Sequence, residues 1–259
     1  MDEESLYLRN VSSYECNFTL IASVTGFQFA KESVYQNITM LSQTLTLASL
    51  VVTVLGHGRV WEPPGRATMW RVGFSARANY DDNGLNCGGF SKQYGANNGK
   101  CGVCGDDYSI TPPRPHELGG VYGQGSIVAK YLSGQIIETS VEITAYHKGH
   151  WEFKICPDPT NEVDQACFDK YPLEMESGGK DYYPPGVGTY TVRYRLPIGL
   201  SCEHCVLQWR YVAGNNWGNC GNGTSGLGCG DQENFLACSD ISIEPGFIEV
   251  DSMPVEVSP

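Results

Sequence analysis

Ten cysteines follow residue 56 of this 259-residue chain: Cys87, Cys101, Cys104, Cys156, Cys167, Cys202, Cys205, Cys220, Cys229 and Cys238. No other feature limits its possible folds as much. An even set of this density reads as a framework of disulfides made in an oxidising compartment. Spacing alone leaves the connectivity open. Two CxxC units, Cys101-Gly-Val-Cys104 and Cys202-Glu-His-Cys205, also carry a zinc reading. They stand roughly a hundred residues apart, far beyond the ~15–20 of a zinc ribbon, so disulfides are the expectation. The eleventh cysteine, Cys16, lies ahead of the set.

Upstream of these cysteines, residues 40–56 (MLSQTLTLASLVVTVLG) contain no charge. The run has an apolar centre and modest residues at its end, and it falls short of the ~20 needed to cross a bilayer. It is read as a signal peptide of a secreted, extracellular protein, although a basic n-region is missing. Residues 1–39 are read as a leader over-extended ahead of the true initiator, Met40. Cleavage after Gly56 makes His57 the first residue, offering an amine and a ring nitrogen that suit copper as a chelate. An uncleaved run would instead anchor the chain and deny His57 its amine.

The net charge is −12, and the basic residues are scattered singly, which argues against nucleic acid as a partner. Residues 57–244 are expected to form one domain, followed by a short acidic tail at 245–259. From Pro63 to Gly125 the chain is rich in Gly, Pro, Asn and Asp. Beyond it, period-two patterns predict strands over 140–145, 151–155, 189–196, 206–212 and 240–243. Val141, Ile143 and Ala145 share one face; so do Trp151, Phe153 and Ile155, and again Tyr190, Val192, Tyr194 and Leu196. The fold class expected is all-β, an antiparallel immunoglobulin- or fibronectin-like β-sandwich with long disulfide-stapled loops decorating one edge. Asn222-Gly-Thr224 is the one sequon after residue 56 and a candidate glycosylation site.

Of five histidines, His57 and His147 stand out. His147 ends a predicted strand beside Gly149, where a side chain reaches the rim of a sandwich. His150 is expected at a turn or surface, and His116 and His204 in structural or solvated positions. The segments HGRVWEPPGRATMWR, NYDDNGLNCGG, KCGVCGDDY, TAYHKGHWEFKIC, WRYVAGNNWG and DQENFLACSDISI occur in that order. Together they resemble the lytic polysaccharide monooxygenases of auxiliary activity family 15, built on a chitin-binding type-4 domain. The resemblance runs from His57 to about Ile243.

That resemblance implies a metal site with one copper ion per chain, held by the amine and Nδ1 of His57 and by the imidazole of His147. It implies Phe235 at the axial position, with Ala145 leaving room beside the metal. His150 departs from the family pattern, in which an aromatic usually follows HxG. The implied activity is oxidation at C1 or C4 of a crystalline chain, with chitin as the default surface and cellulose as an alternative. An external electron donor supplies reducing equivalents, and hydrogen peroxide or dioxygen is the co-substrate. No carboxylate pair of the glycosidase kind is recognisable. From the residues themselves, Tyr80 and Asp81 (with Asp82) are candidates for substrate contact. Gln208 and Arg210, sharing a strand face, are candidates for support behind the metal ligands. A monomer is expected. A non-catalytic chitin-binding module and a copper-handling protein of the same fold are the rival readings.

Overall fold

The protein is described by a computed structural model over residues 57–161 and 164–246. The expected leader, the signal peptide and residues 247–259 of the tail lie outside the described residues. Among the described residues, no helix is long and apolar enough to cross a membrane.

Ten strands form in chain order: β1 (His57–Glu62), β2 (Ala129–Leu132), β3 (Ile136–Ala145), β4 (His150–Cys156), β5 (Glu174–Met175), β6 (Gly188–Arg195), β7 (Cys202–Val212), β8 (Trp217–Asn219), β9 (Ser225–Leu227) and β10 (Asn234–Glu244). A short α-helix, α1 (Gln165–Asp169), begins at Asp164, whose side chain caps Ala166 N. The strands assemble into two four-stranded sheets, ordered β1-β3-β6-β5 and β2-β10-β7-β4, and a β8–β9 hairpin. Pairing is antiparallel except where β2 runs parallel to β10. This is the all-β sandwich expected from the alternation.

The faces read from the sequence are the faces buried. Ile137, Val141 and Ile143 of β3 and Val192 and Tyr194 of β6 meet Trp151, Phe153 and Ile155 of β4, with Leu207, Trp209, Tyr211, Phe235, Ile241 and Ile243 opposite. Large aromatic and β-branched residues dominate this core because they fill the space between pleated faces.

Two expectations change. The strand β1 starts at His57 and pairs with β3, although its run HGRVWE shows no strong strand pattern. The early loops also do more than decorate an edge, because they cover the outer face of the β2-β10-β7-β4 sheet. Leu236 N donates to Leu85 O (3.1 Å), Arg66 N to Cys238 O (2.7 Å) and Gln208 Nε2 to Val103 O (2.7 Å). As a result β10 is buried on both faces from Asn234 to Ile243. Among its outward residues, Asp240 is a buried carboxylate that finds partners in the loop layer and on β7. Arg66 Nε donates to Asp240 Oδ2 (2.8 Å), and His204 Nε2 meets Asp240 Oδ1 (2.7 Å). A buried carboxylate is tolerable only when satisfied in this way.

All ten cysteines after residue 56 are in disulfides: Cys87–Cys101, Cys104–Cys238, Cys156–Cys167, Cys202–Cys205 and Cys220–Cys229. The two CxxC units behave differently. Cys202 and Cys205 bond each other, whereas Cys101 and Cys104 belong to separate bridges. No thiolate among them is left for zinc.

Candidate metal centre at the end of the sandwich

His57 opens β1 opposite Ala145, the last residue of β3. The chain then turns through Tyr146–Gly149 into β4, carrying His147 two residues past the strand end. That turn needs its glycine: Gly149 has φ +74°, and a Cβ there would run into the carbonyl of Val212. Lys148 also takes a left-handed conformation, φ 58°. Gly214 N donates to His147 O (2.8 Å), pinning the turn to the segment that follows β7. His147 is 6 % exposed.

Both histidines converge on the start of β10. The ring of Phe235 lies 6.3 Å from that of His57 and 6.0 Å from that of Tyr211, its cross-strand neighbour. Tyr211 Oη accepts from His147 N (3.3 Å) and donates to Lys148 O in a short bond. Burial pushes the Tyr211 phenol up to about 12, so it stays protonated and keeps that donor. Glu233 Oε2 stands 3.9 Å from His147 Nδ1. Burial raises the Glu233 carboxyl above the usual range, partly offset by the hydrogen bond from Asn86 Nδ2 (3.0 Å) and by the two histidines.

The donor set fits copper. Nδ1 of His147 is buried with no hydrogen-bond partner, a costly state for an imidazole nitrogen. Two imidazoles suit copper, and a chain beginning at His57 would add an amine as a third nitrogen, a set that copper accepts in either common oxidation state. Among the described residues no three His, Cys, Asp or Glu side chains gather as a metal cluster, and a site of two histidines and an amine requires none.

The other candidates are distributed as follows. Tyr80 is 82 % exposed, and Asp81 beside it is exposed, on a loop tied to the strand next to His57 through Gly58 N donating to Asn83 O (3.1 Å). Gln208 and Arg210 share a strand face as expected, but it is the face turned away from Phe235. Gln208 is bonded to Val103 O and Gln165, and Arg210 Nε donates to Asn234 Oδ1 (2.9 Å). Neither side chain is brought to the histidines. Alternation along β7 gives that place to Tyr211, with Trp209 behind it. Tyr211 and Glu233 are thus the residues missed. Glu233 stands immediately before β10 and two positions before Phe235, so closeness in sequence puts both at the same end of the sheet.

The remaining histidines are where they were expected. His116 is buried, meeting Asp106 Oδ1 (2.7 Å) and Asn79 Nδ2 (2.9 Å). His150 is partly exposed, 5.3 Å from the ring of Tyr183. Asn222 sits exposed in the β8–β9 turn, its Oδ1 accepting from Thr224 N (3.1 Å) and Thr224 Oγ1 (2.6 Å).

Residues 57–241 match the protein family described as "Lytic polysaccharide mono-oxygenase, cellulose-degrading". A solved structure of an AA15 lytic polysaccharide monooxygenase from Thermobia domestica in the Cu(I) state is 48 % identical. The match covers 72 % of this chain and 98 % of that one, with a TM-score of 0.70. Weaker similarity links the chain to a chitin binding domain from Burkholderia pseudomallei, with 18 % identity, 73 % and 100 % coverage and a TM-score of 0.42. An AA10 enzyme from Streptomyces lividans gives 17 % identity, 72 % and 99 % coverage and a TM-score of 0.41. No curated protein matches the chain. With its disulfide-stapled sandwich and the family match over nearly all of the described residues, the chain belongs to the lytic polysaccharide monooxygenases of auxiliary activity family 15, copper-dependent enzymes that oxidise polysaccharides.

Proposed function

We propose that this protein is secreted, is cleaved after Gly56, and acts as a monomer holding one copper ion through His57 and His147. It oxidises the chains of a crystalline polysaccharide, chitin first. The observation that carries this reading is the register of β1 on β3. With His57 opposite Ala145, a chain beginning at residue 57 places its terminal nitrogen at the same sheet end as His147.

Once bound, copper supplies one-electron chemistry between an external donor and hydrogen peroxide or dioxygen. The chain's own residues do the rest. Phe235, 1 % exposed, offers no ligand and keeps water from the inner side of the metal position. Ala145 leaves space where a larger side chain would crowd it. Glu233, its carboxyl raised by burial and held by Asn86, can keep or release a proton at Oε2 beside the histidines. Tyr211 fixes the His147 turn through two hydrogen bonds and does not ionise near neutral pH.

Contact with polymer falls to exposed rings near the site. Tyr80 and Asp81 lie on the loop bonded to Gly58. Trp217, 72 % exposed, begins the hairpin that follows the Gly214–His147 bond. Flat rings of this kind stack on the apolar faces of sugars. Chitin is favoured by the ordered motifs shared with auxiliary activity family 15. Cellulose is the second reading, supported by the family description that matches residues 57–241. Asn222 is proposed to carry an N-linked glycan.

The test uses secreted protein beginning at His57, loaded with copper and incubated with β-chitin or cellulose, with and without ascorbate. Oxidised oligosaccharides read by mass spectrometry should require copper and ascorbate and vanish in His147→Ala. Tight copper binding without oxidised products on either polymer would move the protein to metal handling.

A further inference from the structure

Asp82 is buried directly after two exposed residues of its loop. Its side chain is 1 % exposed, while Tyr80 and Asp81 just before it are exposed. Its two carboxylate oxygens serve two different arginines. Oδ1 accepts from Arg59 Nη1 on β1 (2.8 Å), and Oδ2 accepts from Arg71 Nε, in the short 3-10 turn Met69–Val72.

Both arginines are themselves held. The Arg59 guanidinium lies 5.2 Å from the centre of the Trp61 ring, and that of Arg71 lies 4.3 Å from the Trp70 ring. Trp70 then meets the Tyr80 ring edge-on at 5.2 Å and donates from Nε1 to Asn79 O (3.2 Å). On the far side of Asp82, Asn83 O accepts from Gly58 N (3.1 Å), and Asn83 Nδ2 donates to Thr144 Oγ1 (2.9 Å). The loop is therefore fastened to the residue after His57 and to the residue before Ala145, while Arg71 and Trp70 brace its outer end.

We infer that Asp82 is a positioning residue for polymer binding: the Arg59–Asp82–Arg71 clamp fixes the ring of Tyr80 relative to the two histidines. The inference rests on the reading of Tyr80 as a polymer contact. Buried ion pairs are a poor route to stability, because desolvation cancels most of the attraction and an apolar replacement often serves as well. What two charged arms add is direction. A carboxylate bonded to two guanidiniums has one orientation, and the loop that carries it has one path. A crystalline polymer is itself rigid, so a ring already in place loses no freedom when the surface arrives, whereas a mobile one must be ordered at a cost in affinity.

The clamp predicts a pattern across variants of the copper-loaded protein. Binding isotherms on β-chitin, repeated on cellulose, should show Tyr80→Ala weakened by roughly ten-fold, the scale of one lost aromatic contact. Asp82→Asn should lose several-fold and should add nothing in the Tyr80→Ala background, because the clamp acts only through that ring. Arg71→Gln, which leaves the Arg59–Asp82 pair in place, should lose less. The electron paramagnetic resonance spectrum of bound copper should be the same in all of them.

A purely structural Asp82 would lower the melting temperature while leaving polymer affinity at the wild-type value below it, and that result overturns the inference. Additive losses in the double variant also overturn it. So does an unchanged isotherm for Tyr80→Ala, since the clamp would then have nothing to position; the oxidised-product assay on the unaltered enzyme decides the catalytic reading separately. If Asp82→Asn does not fold, Arg71→Gln measured with and without Tyr80→Ala supplies the same comparison.

Discussion

A methyl group added at Gly58 would lie 2.9 Å from Trp209 Cη2, 3.1 Å from Ile143 Cδ1 and 3.2 Å from Glu142 O. Three neighbours from two sheets cannot all retreat, so Gly58→Ala is expected to cost about 1–3 kcal/mol of stability through overpacking. Urea unfolding monitored by tryptophan fluorescence measures that cost. Because Gly58 sits between His57 and the rest of β1, pushing it off β3 also displaces the terminal residue, and copper affinity should fall in the same variant. A stability loss with copper affinity intact would mean that the register of β1 does not govern the metal position. Around the same point, Tyr211 and Glu233 act at single-residue range. One holds the backbone of the His147 turn, and the other sets a carboxyl 3.9 Å from its ring.

At the scale of elements, the β8–β9 hairpin stands outside both four-stranded sheets. Its strands are three residues each, pairing Trp217 with Leu227 and Asn219 with Ser225. A two-stranded ribbon of that length is marginal by itself, and Cys220–Cys229 closes it. Both of these cysteines are partly exposed, unlike Cys104 and Cys238, which are buried. Thiol reductants reach exposed sulfurs first. Under limited reduction followed by alkylation and peptide mapping, Cys220–Cys229 should be the first bridge labelled and Cys104–Cys238 the last, with the sandwich still folded. Early labelling of Cys104 would show that the loop layer opens more readily than its burial implies. Elsewhere the elements follow their sequence patterns closely, and each core face of β3, β4 and β6 is the one its alternation specifies.

Across the whole molecule, Cys104–Cys238 ties the loop layer to β10 over a sequence separation of 134. Closing a loop that long removes much of the unfolded chain's freedom. Replacing both cysteines with alanine is expected to cost about 3–5 kcal/mol, read from the shift in thermal or urea unfolding. The Cys202–Cys205 bridge, with a separation of three, constrains almost nothing that β7 pairing does not already constrain, and its removal should cost far less. Equal costs for the two bridges would mean that loop closure is not what the long one contributes. The same layer carries the Asp82 clamp at one end and the Arg66–Asp240 pair beneath it. On the inference drawn above, it positions Tyr80 as well as covering a sheet.

Read by itself, the amino-acid sequence determined the strand faces, the all-β class and the pairing of every cysteine after residue 56 with some partner, and it singled out His57 and His147, whose role in holding a metal is the proposal made above. Each of these follows from local information: a period of two, an even count, or an ordered set of motifs. Only the tertiary structure decided which cysteine meets which, that the early loops lie over a sheet face, and that Tyr211 and Glu233, not Gln208 and Arg210, stand beside the histidines. Those outcomes depend on which of two faces a strand turns inward and on contacts between residues as far apart as Arg66 and Asp240. No local spacing encodes a distance of that kind; it is set when two sheets and a loop layer pack together.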